Sequence, residues 1–246
     1  MRSNEDVKLT LIRHAQSRFN VHEFDPAYGG KEGSWYHPDL IDPLITDKGL
    51  AQAKSAQEKI GAKPYDFIFV SPLRRALQTA TVIFEKNEGC PKFIAVPMLS
   101  ERFHCAGDLG SDLDTVKRNF KHVDFAVVDG LVNPDYWYLE NLADEKWREV
   151  MLKEIKEQGI EDKDKAAAHI LSLMKIRGED PESYTDFTAR VGKAIEFIKE
   201  FIAKEGLEKK YAVVAHGYFL REFTTIVSKD RSWFDNCEIK EVSLRV

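Results

Sequence analysis

Residues 9–20 read LTLIRHAQSRFN, an apolar run that stops at Arg13 and His14 and is followed by small and polar residues. An apolar run of this length is typical of a buried strand. Two interpretations of its end are open. Arg13 and His14 either meet solvent at an ordinary strand end, or the strand delivers two nitrogen bases to a functional site.

The composition is that of an ordinary globular protein. The chain has 246 residues, 43% of them hydrophobic and 31% charged, which suffices for a sizeable core. The net charge of -5 lacks the basic footprint of a nucleic-acid-binding protein. Cys90, Cys105 and Cys237 form no CxxC pair, which argues against a zinc site and a disulfide framework. Without a signal-peptide or membrane-spanning pattern, we expect a cytoplasmic protein that binds neither nucleic acid nor membrane.

Strand-like and helix-like segments alternate along the chain. Runs of β-branched and aromatic residues predict strands at 7–12, 67–70, 93–99, 211–215 and 239–246. Apolar residues at helical spacing predict helices at 46–61, from 71 to about 83, at 187–202 and after 216. This alternation indicates an α/β fold with a mainly parallel central sheet flanked by helices.

Two segments stand apart from the alternation. Residues 22–43 hold Gly and Pro without periodicity and are predicted to be loop. Residues 106–180 are charged and mostly helical in pattern, so we expect a helical insertion, with its aromatic residues in a core of its own, inside one domain that spans 1–246. At the helix starts, Thr46 and Ser71 are expected as N-caps and Pro72 as a first helical residue.

Polar residues follow several of these strands at one predicted edge of the sheet. Parallel sheets bind ligands beyond the carboxyl ends of their strands. The residues that the pattern places there are Arg13, His14, Ser71 with Arg74 and Arg75 just beyond it, Glu101 and His216.

These residue types fit a phosphate pocket. Guanidinium groups such as Arg13 and Arg75 donate paired hydrogen bonds to a tetrahedral oxyanion, and helix N-termini after the strands add N–H donors. A neutral His14 attacks phosphorus if its other ring nitrogen is held by a hydrogen bond. Glu101 with a raised pKa protonates a leaving oxygen, and His216 serves best when protonated, donating to phosphoryl oxygens.

Five blocks of the sequence resemble, in the same order, the signatures of the histidine phosphatase superfamily, the phosphoglycerate mutase-like family of branch one. They are LIRHAQSRFN, PLITDKGLAQA, SPLRRALQTA, LSER and VVAHG. One Arg-His pair alone is a weak signal, whereas five ordered blocks are specific. The resemblance covers most of the chain apart from residues 106–180.

The resemblance implies a role for each matching residue. His14 is implied as the phosphorylated nucleophile and Glu101 as the proton donor to the leaving group. The implied phosphate and substrate contacts are Arg13, Arg75, His216, Asn20, Gly217 and Tyr218. Arg75 fits better than Arg74, because the family's arginine directly precedes the Ala of the RA pair. No metal ion or organic cofactor is implied, and the expected partner is a small-molecule phosphomonoester.

The sequence departs from the family pattern at several points. Ala15 replaces the usual Gly after His14, which would add strain if its φ were positive. Tyr218 and Phe219 follow His216-Gly217, where mutases have smaller polar residues, and are expected at the pocket mouth. The segments after Asn20 and after Glu101 do not resemble the mutase forms.

Three functions follow from this pattern. We favour a metal-independent phosphomonoester hydrolase that works through a phosphohistidine. A mutase must retain its phosphorylated intermediate and exclude water, and this chain lacks the segments that mutases have after Asn20 and Glu101. A cofactor-dependent phosphoglycerate mutase and a non-catalytic phosphate-binding protein are the alternatives. Residues 21–43 and 106–180 are expected to select the substrate.

Overall fold

A computed structural model describes residues 5–142, 144–178 and 180–246, and within them six strands form one sheet in the order β4-β3-β2-β5-β1-β6. The strands are β1 (Asp6–Arg13), β2 (Phe67–Val70), β3 (Lys92–Ala95), β4 (Val123–Asp124), β5 (Tyr211–Ala215) and β6 (Ile239–Arg245). All neighbouring pairs are parallel except β1 with β6. The predicted α/β fold with a mainly parallel sheet is confirmed.

The helices cover both faces of this sheet. They are α1 (Arg18–His22), α2 (Gly30–Trp35), α3 (Asp47–Ile60), α4 (Arg74–Phe84), α5 (Leu113–Asn119), α6 (Ala126–Asp129), α7 (Trp137–Glu140), α8 (Glu145–Glu157), α9 (Lys163–Arg177), α10 (Tyr184–Glu205) and α11 (Gly217–Ser228). In the described ranges none of them combines the length and apolarity needed to cross a membrane.

The core lies in two layers because strand side chains alternate between the faces. One layer packs against α3 and α4 and includes Ile12, Ile68, Val70, Ala212 and Val214. The other packs against α10 and α11 and includes Leu9, Leu11, Phe69, Val213 and Ala215. Every residue of β2 and β5 is buried, as expected for the centre of a parallel sheet.

Local structure differs from the sequence prediction in three places. Residues 22–43, predicted as loop, contain α2 and 3₁₀ turns at Pro26–Tyr28 and Pro38–Leu40. The predicted strand 93–99 ends at Ala95, and Pro97–Leu99 forms a 3₁₀ turn instead. Pro97 begins this turn because it has no N–H to donate to a neighbouring strand. The insertion is mostly helical as predicted, but it also supplies β4 to the edge of the sheet.

Of the two predicted N-caps, Thr46 is confirmed and Ser71 is wrong. Thr46 caps α3 as predicted, accepting a hydrogen bond from the backbone N–H of Gly49. Ser71 does not cap α4, which begins at Arg74 after an extended Leu73. The Ser71 hydroxyl lies instead 2.8 Å from Nε2 of His216, so this side chain belongs to the site.

A buried ion pair holds the chain just after β3. Arg190 on α10 pairs with Glu182 at 2.7 Å. The same guanidinium donates to the carbonyls of Met98, Ser100 and Glu101. The ion pair therefore ties α10 to the backbone that carries Glu101.

Replacing Arg190 with alanine is expected to destabilise the protein by roughly 3–5 kcal/mol, because Glu182 would stay buried without its partner. Urea unfolding measures this cost. Lys193→Ala, on an exposed position of the same helix, is the control and is expected to change the free energy of unfolding by less than about 0.5 kcal/mol. Equal losses in the two variants would show that the ion pair does not hold this region.

Candidate active site

The pairing of β1 with β5 brings the two predicted histidines together. The register places Arg13 opposite Ala215, so His14 and His216 both follow at the carboxyl edge of the sheet. Their ring centroids lie 5.0 Å apart. The structure thus groups residues that are 202 positions apart in sequence, since 216 − 14 = 202.

His14 is held in one tautomer. Its Nδ1 lies 2.7 Å from the carbonyl oxygen of Ala15, which only accepts hydrogen bonds, so the proton sits on Nδ1 and Nε2 keeps its lone pair. Arg75 donates from Nε to this Nε2 at 3.3 Å. Burial, and then the charges of Arg75 and Arg13, lower the pKa of His14 well below its usual value. His14 is therefore a neutral base.

Two guanidinium groups flank His14. Arg75 donates to the carbonyl of Gly107 and lies 3.3 Å from a carboxylate oxygen of Asp108. Arg13 donates to the carbonyl of Phe234 at 2.7 Å. Its Nε is buried and has no hydrogen-bond partner among the described residues, so it is available to a ligand. Arg75 is the pocket arginine, as the motif predicted, whereas Arg74 binds Asp42 on the other side of α4.

The surroundings of His216 favour its neutral form rather than the protonated form that would serve best. Burial, followed by the charge of Arg75 and the proximity of His14, lowers its pKa well below the usual value. Its Nε2 lies 2.8 Å from Ser71 Oγ, and either atom can be the donor. Its Nδ1 is buried and unpartnered within the described chain. When Ser71 is the donor, the neutral ring carries its proton on Nδ1 and can donate it to a ligand.

Glu101 occupies the start of α11. Its carboxylate accepts hydrogen bonds from the N–H groups of Tyr218 at 3.0 Å and Phe219 at 3.1 Å. Glu101 therefore occupies two of the N–H groups that were predicted to face a phosphate, and the phosphate contact of this helix start stays a prediction. Burial, and next the charge of Asp108, raise the pKa of Glu101 despite these donors. Its carboxyl keeps a proton to a higher pH than an ordinary glutamate does.

His104 lies in the site although its sequence suggested only an ordinary loop or surface position. Its Nδ1 is 2.7 Å from the carbonyl oxygen of Arg102 and 3.1 Å from Asp108. Burial alone would lower its pKa, but Asp108 raises it to about 9. His104, Cys105 and Asp108 also place their ligand-type atoms within 4.8 Å of one another in the described chain. Hydrogen bonds from His104 and Cys105 to Asp108 account for this cluster.

One wall of the site was not identified from the sequence. Phe234 holds Arg13 through its carbonyl, and Asn236 donates from Nδ2 to the carbonyl of His14 at 3.0 Å. An added Cβ at Gly217 would lie 3.3 Å from Arg13 Nε and 3.6 Å from the Trp233 ring. Glycine at 217 therefore gives these groups room. The segment 233–236 carries no motif, and only the fold shows where it lies.

The remaining predicted residues have local explanations. Asn20 accepts from the N–H and hydroxyl of Ser17 in a capping box at the start of α1, and its pocket role stays a prediction. Ala15 does not have a positive φ, so its methyl group causes no backbone strain. Its N–H donates to the hydroxyl of Thr79. Phe219 is buried in the core rather than at the mouth, where Tyr218 alone of the pair is exposed.

Comparisons with known proteins agree with this geometry. Residues 9–121 match the family model of the histidine phosphatase superfamily, branch 1. A "Probable fructose-2,6-bisphosphatase TIGAR A" of Danio rerio is 30% identical over 43% of this chain and 38% of that protein. A protein of Schizosaccharomyces pombe, described as a probable phosphatase, is 32% identical over 49% of this chain and 52% of its own length. The chain thus spans about half or less of these curated relatives.

A solved structure shows the same fold over nearly the whole chain. Phosphoglycerate mutase from Bacillus anthracis superimposes with a TM-score of 0.56, covers 98% of this chain and 88% of its own, and is 18% identical. At that identity the likeness concerns the fold alone. The fold is that of phosphoglycerate mutase-like proteins.

Proposed function

We propose that this chain is a member of the histidine phosphatase superfamily, whose family model residues 9–121 match, and that it is a phosphomonoester hydrolase working through a phosphohistidine on His14. The curated relatives that it matches include both phosphatases and mutases. One observation carries the proposal. The His14 ring is fixed by the Ala15 carbonyl with its Nε2 unprotonated, between the guanidinium groups of Arg13 and Arg75.

In the first step the phosphoryl group replaces the contact between Arg75 and His14. Its oxygens accept hydrogen bonds from Arg13, Arg75 and Nδ1–H of His216, which offset the charge of the transferring group. Nε2 of His14 attacks phosphorus, and the bond from phosphorus to the leaving oxygen breaks. Glu101 gives its proton to that oxygen, so the alcohol leaves neutral.

In the second step water attacks the phosphohistidine. Glu101, now a carboxylate, takes a proton from the water as the phosphorus–nitrogen bond breaks. Inorganic phosphate leaves, and both His14 and Glu101 return to their starting protonation states. The two arginines stabilise the charge in both steps, so the proposed reaction needs no metal ion.

The segments after Asn20 and Glu101 do not resemble the mutase forms, which favours hydrolysis over the mutase alternative. A mutase must keep water from its phosphohistidine, and those segments would have to exclude it. We further propose a small-molecule substrate and a cytoplasmic location; the three cysteines are free thiols, which fits a reducing compartment.

His14→Ala is expected to lower phosphate release by at least about 1,000-fold, since removing a nucleophile typically costs more than any single supporting group. The assay measures inorganic phosphate from a panel of phosphomonoesters, phosphoglycerates included, with a chelator present. His122→Ala, at an exposed position, is the control. Full activity in His14→Ala would refute the proposal, and interconversion of phosphoglycerates without phosphate release would establish a mutase.

Glu101→Gln is expected to slow cleavage of alkyl phosphates by roughly 100-fold or more and of aryl phosphates much less, because only a poor leaving group needs the proton. The pKa of Glu101 is raised, so wild-type activity on alkyl phosphates is full below that pKa and falls as the pH rises through it. His14, with its lowered pKa, stays neutral well below pH 6.5 and sets no acid limit near neutrality. Steady-state pH profiles test this.

Two results would contradict the role of Glu101 as proton donor. One is an equal loss of rate for alkyl and aryl substrates in Glu101→Gln. The other is an alkaline fall in wild-type activity that the variant retains unchanged.

A further inference from the structure

We propose that the leaving group of the substrate carries a flat ring, which packs against a subsite formed by Trp35, His104, Tyr218 and Trp233. This inference rests on the proposed function and names the class of phosphomonoester that it acts on. The four residues, termed the ring subsite below, come from segments that are far apart in sequence.

The side chains of the ring subsite form a continuous row. Trp35 meets His104 edge-on at a centroid distance of 5.3 Å. His104 meets Tyr218 at 6.0 Å, and Tyr218 meets Trp233 edge-on at 4.9 Å. These separations are within the range in which aromatic rings attract one another. The row therefore presents one connected surface rather than four separate apolar residues.

This row lies where the leaving group must pass. Glu101 gives its proton to the leaving oxygen, which has to come within about 3 Å of the carboxyl. The Glu101 carboxylate is bonded to the N–H of Tyr218, at 3.0 Å. At the other end, Trp233 borders Gly217 and the Arg13 guanidinium. A group bonded to that oxygen therefore extends along Tyr218 and Trp233.

Two of the rings remain open to a ligand. Tyr218 is 38% exposed and Trp233 is 49% exposed, and both are large apolar side chains. A single exposed aromatic residue is ordinary, but adjacent ones beside catalytic groups indicate a binding surface.

Cations hold the two outer tryptophans. The guanidinium of Arg221 lies over the Trp233 ring at 4.7 Å, and the ammonium of Lys31 lies over the Trp35 ring at the same distance. Such contacts restrain the rings before a ligand arrives. Because neighbouring rings of the row meet edge-on, a flat ligand ring can stack on the open face of one ring while it meets the next ring edge-on. A ring that is not flat loses this stacking.

Two substrates of matched reactivity test the proposal. Both 2-phenylethyl phosphate and 2-cyclohexylethyl phosphate release a primary alcohol, so they need the Glu101 proton equally and differ in the flatness of the ring. We expect kcat/KM to favour the phenyl compound by about fivefold to tenfold. Trp233→Leu and Tyr218→Leu are each expected to bring this ratio close to one. Ile176→Ala, which changes another exposed apolar residue, should leave the ratio unchanged.

The outcomes separate this proposal from the proposed function. Hydrolysis of both compounds at equal kcat/KM would overturn the ring subsite and leave the phosphatase intact. Hydrolysis of neither, together with no phosphate release from any member of the phosphomonoester panel, would contradict the phosphatase. In that case titration calorimetry with the corresponding phenyl and cyclohexyl phosphonates tests the ring subsite. Tighter binding of the phenyl compound, with the difference lost in Trp233→Leu, supports the subsite. Equal binding of the two compounds refutes it.

Discussion

Parallel pairing of β1 with β5 places Arg13 opposite Ala215, so the two strands release their chains at the same edge of the sheet. His14 and His216 follow directly, and their rings meet there. Every other group of the site is arranged around this pair. A shift in the register by one residue would exchange the faces of β1 and place His14 in a different environment. Such a shift would also move Leu9 and Leu11 out of one core layer and Ile12 out of the other.

Burial and positive charge act together on the two histidines. Taking an imidazole out of water disfavours its charged form, and the neighbouring guanidinium groups disfavour it further. A cationic His14 would have no lone pair with which to attack, so the pocket that we propose for a phosphate would also keep the proposed nucleophile active. The pKa of Glu101 shifts in the opposite direction and is raised. Burial holds its proton, and the N–H groups of α11 are ready to stabilise the carboxylate once the proton has left.

Much of the fold and the central residues of the site were predictable from sequence, because strand ends and short motifs are local features. His14, Arg75 and His216 meet where the strand pattern predicted. Tertiary context decided the rest. Ser71 has the side chain of an N-cap, yet His216 competes for its hydroxyl. Trp233 reaches the site only because the chain before β6 folds back over Arg13, a contact between distant segments that leaves no periodic signal.

The central claim is a covalent phosphoryl group on Nε2 of His14. Rapid quenching of Glu101→Gln with 4-nitrophenyl phosphate tests it most directly, since this substrate needs no proton to leave and the variant is slow to activate water. We expect a burst of about one equivalent of nitrophenol. We also expect the peptide that contains His14 to gain the mass of one phosphoryl group, which acid removes. A burst with the phosphoryl group on another residue, or turnover in which no labelled peptide forms, would contradict it.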